Sequence, residues 1–196
     1  MSIPLMKTVP ALAFLLIMAG CAANMSSRKR VDIPLPSSSR VAVLPFENLS
    51  GREKAAEKLT DYFQTTMTGR DRFELVEFGV LYDHLRQFRI RSSTLLTDEQ
   101  IDSLAASLDL SFILVGSALE YEEFDNNYLG RVPQVSFNCR LIDCATGKTV
   151  WVATSNRSGD SGELVFGIGA VRSADDLARR MVSEAVDDLS DLFAKN

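Results

Sequence analysis

Short apolar runs and alternating apolar and polar positions predict five β-strands along the chain. The predicted strands lie at residues 41–46, 73–78, 112–119, 135–142 and 149–153. The third of them, FILVGSAL, is the strongest, because a mostly apolar run of this length is typical of a strand buried on both faces. The last two flank a turn in which Gly147 supplies a positive φ, so they are predicted to form a hairpin.

Apolar residues at helical spacing predict four helices. Ser50 and Glu53 have the spacing of a capping box, which predicts that the first helix begins near Ser50. Thr97 and Gln100 have the same spacing ahead of the third helix. The second helix is short, and the last, from about Ser173, is the longest. The element order βαβααβββα predicts an α/β fold in which helices pack on a mixed five-stranded sheet.

The amino-terminal pattern is that of a secretory signal. Lys7 is the only charged residue before an apolar stretch from Val9 to Met18, and small residues follow at 19–20. A stretch of about ten residues is too short for a membrane-spanning helix, which needs roughly 20. Residues 1–20 are therefore predicted to be a signal peptide that is removed.

The residues Met18-Ala19-Gly20-Cys21 resemble the bacterial lipobox, in which the cysteine carries a diacylglycerol and an N-acyl chain. The resemblance implies that Cys21 anchors the mature chain to a lipid membrane, and no other cofactor is expected. Several acyl chains hold a protein stably, whereas one holds it weakly. Ala22 stands where an aspartate commonly marks inner-membrane retention, so the resemblance favours the periplasmic face of the outer membrane. A plain signal peptide is the alternative.

Residues 21–39 combine the lipidated cysteine with a stretch that carries serine, proline and charge but no periodicity. This stretch is predicted to be a flexible tether, with a reach of at most about 60 Å when fully extended. Its cations Arg28, Lys29 and Arg30 either touch anionic headgroups or are simply solvated. The folded domain is predicted to occupy residues 40–196.

Composition and charge argue against nucleic-acid binding and against a structural zinc site. The chain is 46% hydrophobic and 24% charged, which is ordinary for one globular domain. Its formal net charge of -5 is a poor electrostatic match to nucleic acid, so no nucleic-acid partner is expected. With Cys21 committed to lipid, the remaining Cys139, Cys144 and His84 are too few for a structural zinc site.

Residues with catalytic potential have simpler structural interpretations. His84 lies on the apolar face of the short second helix, which is typical of a packing histidine. Asp175 and Asp176 lie at the positive end of the last helix, where carboxylates act as capping charges. Cys139 and Cys144 are predicted to be buried or half-buried thiols, because about 16 Å of extended strand separates them unless the turn folds the chain back. The chain is therefore predicted not to be an enzyme and to have no small-molecule substrate.

The apolar run LVFGIGAV at 164–171 is the most unusual local feature. It either packs beneath the entry of the last helix or forms an exposed patch for a partner or for self-association. Its candidate partner-binding residues are Leu164, Val165, Phe166 and Ile168. The two glycines lack the strand-turn-helix context of a dinucleotide fingerprint, so the run is not interpreted as a phosphate site.

Three segments resemble a known superfamily. VAVLPFENLSG at 41–51, FILVGSALEY at 112–121 and LIDCATGKTVW at 141–151 are similar to the superfamily of CsgG, LpoB and the TolB amino-terminal domain, over roughly residues 40–195. The resemblance implies an envelope-facing αβα module that assembles with other proteins, or with itself, and that has no active site.

The curli-secretion branch of this superfamily builds a pore from two transmembrane hairpins per subunit. Such a hairpin needs roughly 20 alternating residues plus a turn. Residues 122–134 are interrupted by charges and a proline, and the first half of 154–172 is wholly polar, so no pore is predicted. The predicted function is that of a membrane-anchored interaction module. The alternatives are an LpoB-like activator of a cell-wall synthase, which so short a tether disfavours, and a periplasmic enzyme.

Overall fold

The computed structural model describes residues 25–29, 39–126, 130–161 and 171–194. Seven strands lie in these ranges: β1 (Met25–Lys29), β2 (Ser39–Val43), β3 (Glu47–Asn48), β4 (Phe73–Leu75), β5 (Phe112–Asn126), β6 (Gly130–Asp143) and β7 (Thr149–Ser158). The helices are α1 (Ala55–Thr68), α2 (Phe78–Gln87), α3 (Asp98–Leu108) and α4 (Ala174–Ala194). Within these ranges, no helix has the length and apolar character needed to cross a membrane.

The strands form one mixed sheet. Its order is β1-β7-β6-β5-β2-β4, and the short β3 also pairs with β5. β2 is parallel to β4 and β5, whereas β5, β6, β7 and β1 are antiparallel neighbours. The predicted α/β class is confirmed, but the sheet has seven strands rather than five. The order of elements along the described chain is βββαβααβββα. It differs from the predicted order by β1 and β3, which were not predicted.

Helices cover the two faces of the sheet unequally. α1 and α4 pack on one face, where the core includes Phe63, Phe137 and Trp151, each fully buried. α2 and α3 pack on the other face, in a smaller core that takes its strand residues from β2, β5 and the end of β6. Each helix buries an apolar stripe, as its periodicity predicts. The second face is therefore covered mainly over β2 and β5.

Of the two capping boxes that were predicted from residue spacing, one is present in the structure and the other is not. The capping box at Thr97 is confirmed, since Gln100 N donates to Thr97 Oγ1 over 3.3 Å and Thr97 N donates to Gln100 Oε1 over 3.1 Å. The box at Ser50 is wrong, because α1 begins only at Ala55, after Lys54 in a left-handed conformation. The Ser50 hydroxyl instead donates to Asn48 Oδ1 over 2.8 Å, which stabilises the turn that precedes the helix.

Strand β1 corrects the predicted flexible tether. Residues 21–39 show no strand periodicity, yet Met25–Lys29 pair antiparallel with β7, from Met25 opposite Ser155 to Lys29 opposite Trp151. The segment MSSRK has a single apolar side chain, so the strand is defined by backbone pairing at the edge of the sheet and not by burial. The tether is therefore interrupted by an ordered strand.

β5 and β6 are longer than the strands predicted at 112–119 and 135–142. Residues 122–134 were not predicted to be strand, but β5 continues to Asn126 and β6 begins at Gly130, and these two residues are paired. The acidic composition of this extension hides the strand from hydrophobic pattern analysis. Cross-strand contacts support it, including an ion pair of 3.3 Å between Arg131 and Glu123.

Candidate interaction surface

The side chains of β7 divide sharply between the two faces of the sheet. Trp151 and Ala153 point towards α1 and α4 and are fully buried. Val152 and Thr154, which alternate with them, are exposed on the opposite face. The polar residues Asn138 and Arg140 of the neighbouring β6 are half-buried on that face. This part of the sheet is thus open to solvent.

The loop that joins α2 to α3, residues 88–97, forms a wall beside the open face. Arg140 Nη2 donates a hydrogen bond of 2.7 Å to the Thr94 carbonyl oxygen, which joins β6 to the loop. Ser93 Oγ donates to the Pro45 carbonyl oxygen over 2.5 Å. Hydrogen bonds from Ser92 and Thr94 lower the pKa of the Glu47 carboxyl, so the loop is held by a charged acceptor at neutral pH.

The wall and the strands enclose a cleft of about 460 Å³, here called the open groove. Its lining consists of Thr94, Val115, Gly116, Ser117, Asn138, Cys139, Arg140, Thr149, Val152 and Thr154. Among these residues the hydrogen-bonding groups are hydroxyls, one amide and one guanidinium, and none is acidic. Such a lining suits hydrogen bonding to a protein or other polar surface, and it lacks a carboxylate for acid-base chemistry.

Both predicted thiols are confirmed. Cys139 and Cys144 are buried and free. Burial raises the pKa of the Cys139 thiol well above its ordinary value. Burial also raises the pKa of Cys144, to about 12, and the nearby Asp143 adds to the shift. Both side chains are therefore neutral thiols at neutral pH and weak nucleophiles, although Cys139 lies in the lining of the open groove.

His84 is positioned as a packing histidine. It is half-buried on α2, its Nδ1 lies 2.8 Å from the Val80 carbonyl oxygen, and its ring is 6.1 Å from that of Phe88. The lining of the open groove does not include it. In the described part of the chain, no group of three or more His, Cys, Asp or Glu side chains is placed to hold a metal ion.

Asp175 and Asp176 lie in the first turn of α4, as predicted, but Asp175 has a further role. Lys58 Nζ lies 2.8 Å from its Oδ1, and the Tyr121 hydroxyl also donates to it. Burial opposes ionisation of Asp175, yet the hydrogen bonds from Lys58 and Tyr121 outweigh it and lower the pKa of the carboxyl. The three side chains join α1, β5 and α4 and form a structural contact.

The residues predicted to carry function lie outside the described residues. These are Cys21, for the lipid, and Leu164, Val165, Phe166 and Ile168, for a partner. The described residues nearest to this gap include Gly159 and Val171, and Val171 N donates to the Gly159 carbonyl oxygen over 2.9 Å. Burial beneath the last helix and exposure to a partner both stay predictions for these four apolar residues.

The open groove was missed by the sequence analysis. Its signal was present in β6, where polar Ser136, Asn138 and Arg140 alternate with apolar neighbours. Alternation of this kind predicts one polar face on a strand. It does not show which helices cover that face, and for this reason the groove was not predicted.

Comparisons with known proteins bear on the fold. No protein-family model matches the chain, and no curated protein matches its sequence. The solved PelC dodecamer from Paraburkholderia phytofirmans is similar, with 18% identity over 83% of this chain and 94% of that chain and a TM-score of 0.54. Lipoprotein GNA1162 from Neisseria meningitidis has 16% identity over 78% of this chain and 99% of that chain, with a TM-score of 0.53.

The fold that the resemblance implied is confirmed, because the solved structure of the bacterial lipoprotein GNA1162 has a similar fold. The carboxy-terminal domain of LpoB from Escherichia coli aligns with 17% identity over 76% of this chain and 93% of that chain. Its TM-score of 0.46 is too low to extend the comparison. The CsgG and TolB branches stay predictions.

Proposed function

We propose that this chain is a lipoprotein of the bacterial envelope, acylated on Cys21, whose folded domain is a non-enzymatic interaction module. The fold likeness to lipoprotein GNA1162 carries the proposal, because the match covers 78% of this chain and 99% of that structure. A lipobox followed by a domain of this fold is what such a lipoprotein requires. The proposed location is the periplasmic face of the outer membrane.

The open groove supports interaction rather than catalysis. Its hydroxyls, amide and guanidinium suit hydrogen bonds to a protein surface, whereas its thiol is neutral and its described lining has no acidic side chain. The partner is an envelope protein or a second copy of this chain. Self-association has support from the similar PelC structure, which is a dodecamer.

Two finer features belong to the proposal. First, the module has no transmembrane pore of its own, since the extension of β5 carries Glu120, Glu122 and Glu123. Second, activation of a cell-wall synthase across the periplasm is disfavoured. The pairing of β1 with β7 takes five residues out of an already short tether.

Lipidation is tested by replacing Cys21. In the parent bacterium, the wild-type chain is expected in the membrane fraction, and Cys21→Ser in the soluble periplasmic fraction, because the serine cannot receive a diacylglycerol thioether. Cys139→Ser is the matched control, since that thiol is buried in the folded domain. Membrane attachment of Cys21→Ser would contradict the proposal.

The groove is tested by site-specific crosslinking in intact cells. A photoreactive residue at Thr154, exposed beside the open groove, is expected to give a discrete adduct, whereas one at Glu57, exposed on α1, is not. An adduct of twice the chain's mass identifies self-association, and any other discrete mass identifies an envelope partner. Equal yields of adduct from both positions, or no adduct from either, would show that the open groove is not the interaction surface.

A further inference from the structure

The pairing of β1 leaves a very short spacer between Cys21 and the folded domain. Because β1 begins at Met25, only residues 22–24 separate the cysteine from the sheet. Four peptide units reach at most about 14 Å, against the roughly 60 Å of the whole predicted tether. A lipid on Cys21 therefore holds the edge of the sheet close to the membrane surface.

The register of β1 shows which end of the sheet is held there. Four residues on neighbouring strands lie side by side at the level of Met25 in β1. They are Met25, Ser155 of β7, Phe137 of β6 and Ala118 of β5. β1 enters from the end of the sheet at which β5 finishes and β6 starts. The hairpin of β5 and β6 continues past the level of Met25 by the seven residues of β6 that precede Phe137, residues 130–136. This overhang is about 23 Å long.

The overhang is longer than the spacer. When the strands point at the membrane, a spacer of about 14 Å is too short to keep a hairpin that projects about 23 Å beyond Met25 clear of the headgroups. This orientation brings the hairpin to the lipid headgroups. Its described end exposes one large apolar side chain, Phe124, at 44%.

The charges of the overhang are compatible with a headgroup surface. Glu123 forms an ion pair with Arg131, and Glu122 forms one of 2.9 Å with Arg52. Asp125 lies opposite Arg131 in the register of the hairpin. The ion pairs of Glu122 and Glu123 reduce the repulsion between these two carboxylates and anionic lipids.

We propose that Phe124 and its described neighbours on β5 and β6 form a lipid-contact surface that β1 holds against the membrane. The inference rests on the proposed lipidation of Cys21. The occupant is the headgroup and upper acyl region of the bilayer, with the Phe124 ring at the level of the glycerol. Val132 lies opposite Phe124 in the register of the neighbouring strand.

Tryptophan quenching by lipid provides the test. The acylated chain with Phe124→Trp is reconstituted in vesicles of phosphatidylethanolamine and phosphatidylglycerol whose acyl chains are brominated near the glycerol. Native Trp151 is fully buried and gives a common background. The matched control is Ala145→Trp, exposed in the β6–β7 turn, because the 14 residues of β6 place it about 46 Å from the hairpin end.

Brominated lipid is expected to reduce the fluorescence of Phe124→Trp but not that of Ala145→Trp. A second arm inserts twenty glycine and serine residues between Asn24 and Met25, which adds a coil of roughly 25 Å. The quenching of Phe124→Trp is then expected to fall while the protein still floats with the vesicles.

The outcomes separate the inference from the proposed function. If the protein floats with vesicles and Phe124→Trp is not quenched more than Ala145→Trp, the lipid-contact surface is overturned and lipidation stands. If the inserted linker leaves the quenching of Phe124→Trp unchanged, the proposal that β1 holds the hairpin against the membrane is overturned. If the wild-type chain purified from membranes carries no lipid and does not float, both the proposed function and this inference fail.

Discussion

The two faces of β7 have opposite roles although their residues alternate along one strand. Trp151 and Ala153 complete the core beneath α1 and α4, while Val152 and Thr154 border the open groove. One face is covered along its length by two long helices, and the other loses its helical cover beyond β5 and the end of β6. Val152 is apolar yet exposed, so an apolar side chain on β7 stabilises the core only on the face that α1 and α4 cover.

The largest expected effect is the loss of a core side chain from the covered face. Trp151→Ala should reduce the free energy of unfolding by about 3–5 kcal/mol, because it leaves a cavity and removes the 2.8 Å hydrogen bond from Nε1 to Asp188. Val152→Ala, one residue along, should change it by about 0.5 kcal/mol or less. Urea unfolding of both variants gives the measurement. Equal losses would mean that the open face is also a core.

The next largest effect is expected at Gly116 of β5, against which the Phe46 ring packs closely. A Cβ at Gly116 would lie 2.5 Å from the Phe46 ring and 2.6 Å from the Asn138 carbonyl oxygen. Gly116→Ala should therefore destabilise the domain by about 1–3 kcal/mol through overpacking.

Gly69→Ala is the control for Gly116→Ala. A Cβ at Gly69 would meet its nearest atom at an ordinary 3.5 Å, and the residue has a negative φ. Thermal unfolding of the two variants is compared with that of the wild type. A melting temperature for Gly116→Ala as high as that for Gly69→Ala would show that Phe46 and its surroundings can move.

A smaller effect is expected at the wall of the open groove. Arg140→Ala removes the hydrogen bond to the Thr94 carbonyl and should cost about 1 kcal/mol. Because the bond joins β6 to the loop, amide hydrogen exchange at 92–95 should accelerate while exchange in α1 is unchanged. Uniform acceleration throughout the domain would instead indicate that Arg140 supports the whole fold.

The smallest effect depends on pH. The lowered pKa of Asp175 means that its stabilising contribution is complete above the ordinary value of 3.8 and is lost as pH falls through the folded-state value. Asp175→Asn should therefore reduce the free energy of unfolding at about pH 7, by roughly 0.2–1 kcal/mol since the pair is partly exposed. The difference from wild type should vanish under strongly acidic conditions.

Asp176→Asn serves as the control for Asp175→Asn, because Asp176 lies in the same helical turn and its ion contact with Arg179, in the described part of the chain, is 4.0 Å long. It reproduces the loss of a charge near the helix dipole without the loss of the Lys58 contact. An identical pH dependence for both variants would assign the whole effect to the dipole.

Long periodic segments could be predicted from the sequence, and segments defined by pairing could not. The helical stripes on α1 and α4, the capping box at Thr97 and the free thiols all follow from local residue types, and the structure confirms them. The first helix cap was wrong, because the Ser50 hydroxyl bonds within the preceding turn. Local spacing does not distinguish a cap from such a turn.

The sequence by itself determined the α/β class and the residues that fill the core, because burial imposes a period on side chains. It also supplied the prediction that Cys21 is lipidated. Only the tertiary structure decided that MSSRK is an edge strand and that the acidic extension of β5 remains paired. Backbone hydrogen bonds hold both segments, and these bonds leave no hydrophobic pattern. The number of residues between Cys21 and the sheet, and hence the end of the domain that the proposed lipid would hold, depends on that pairing.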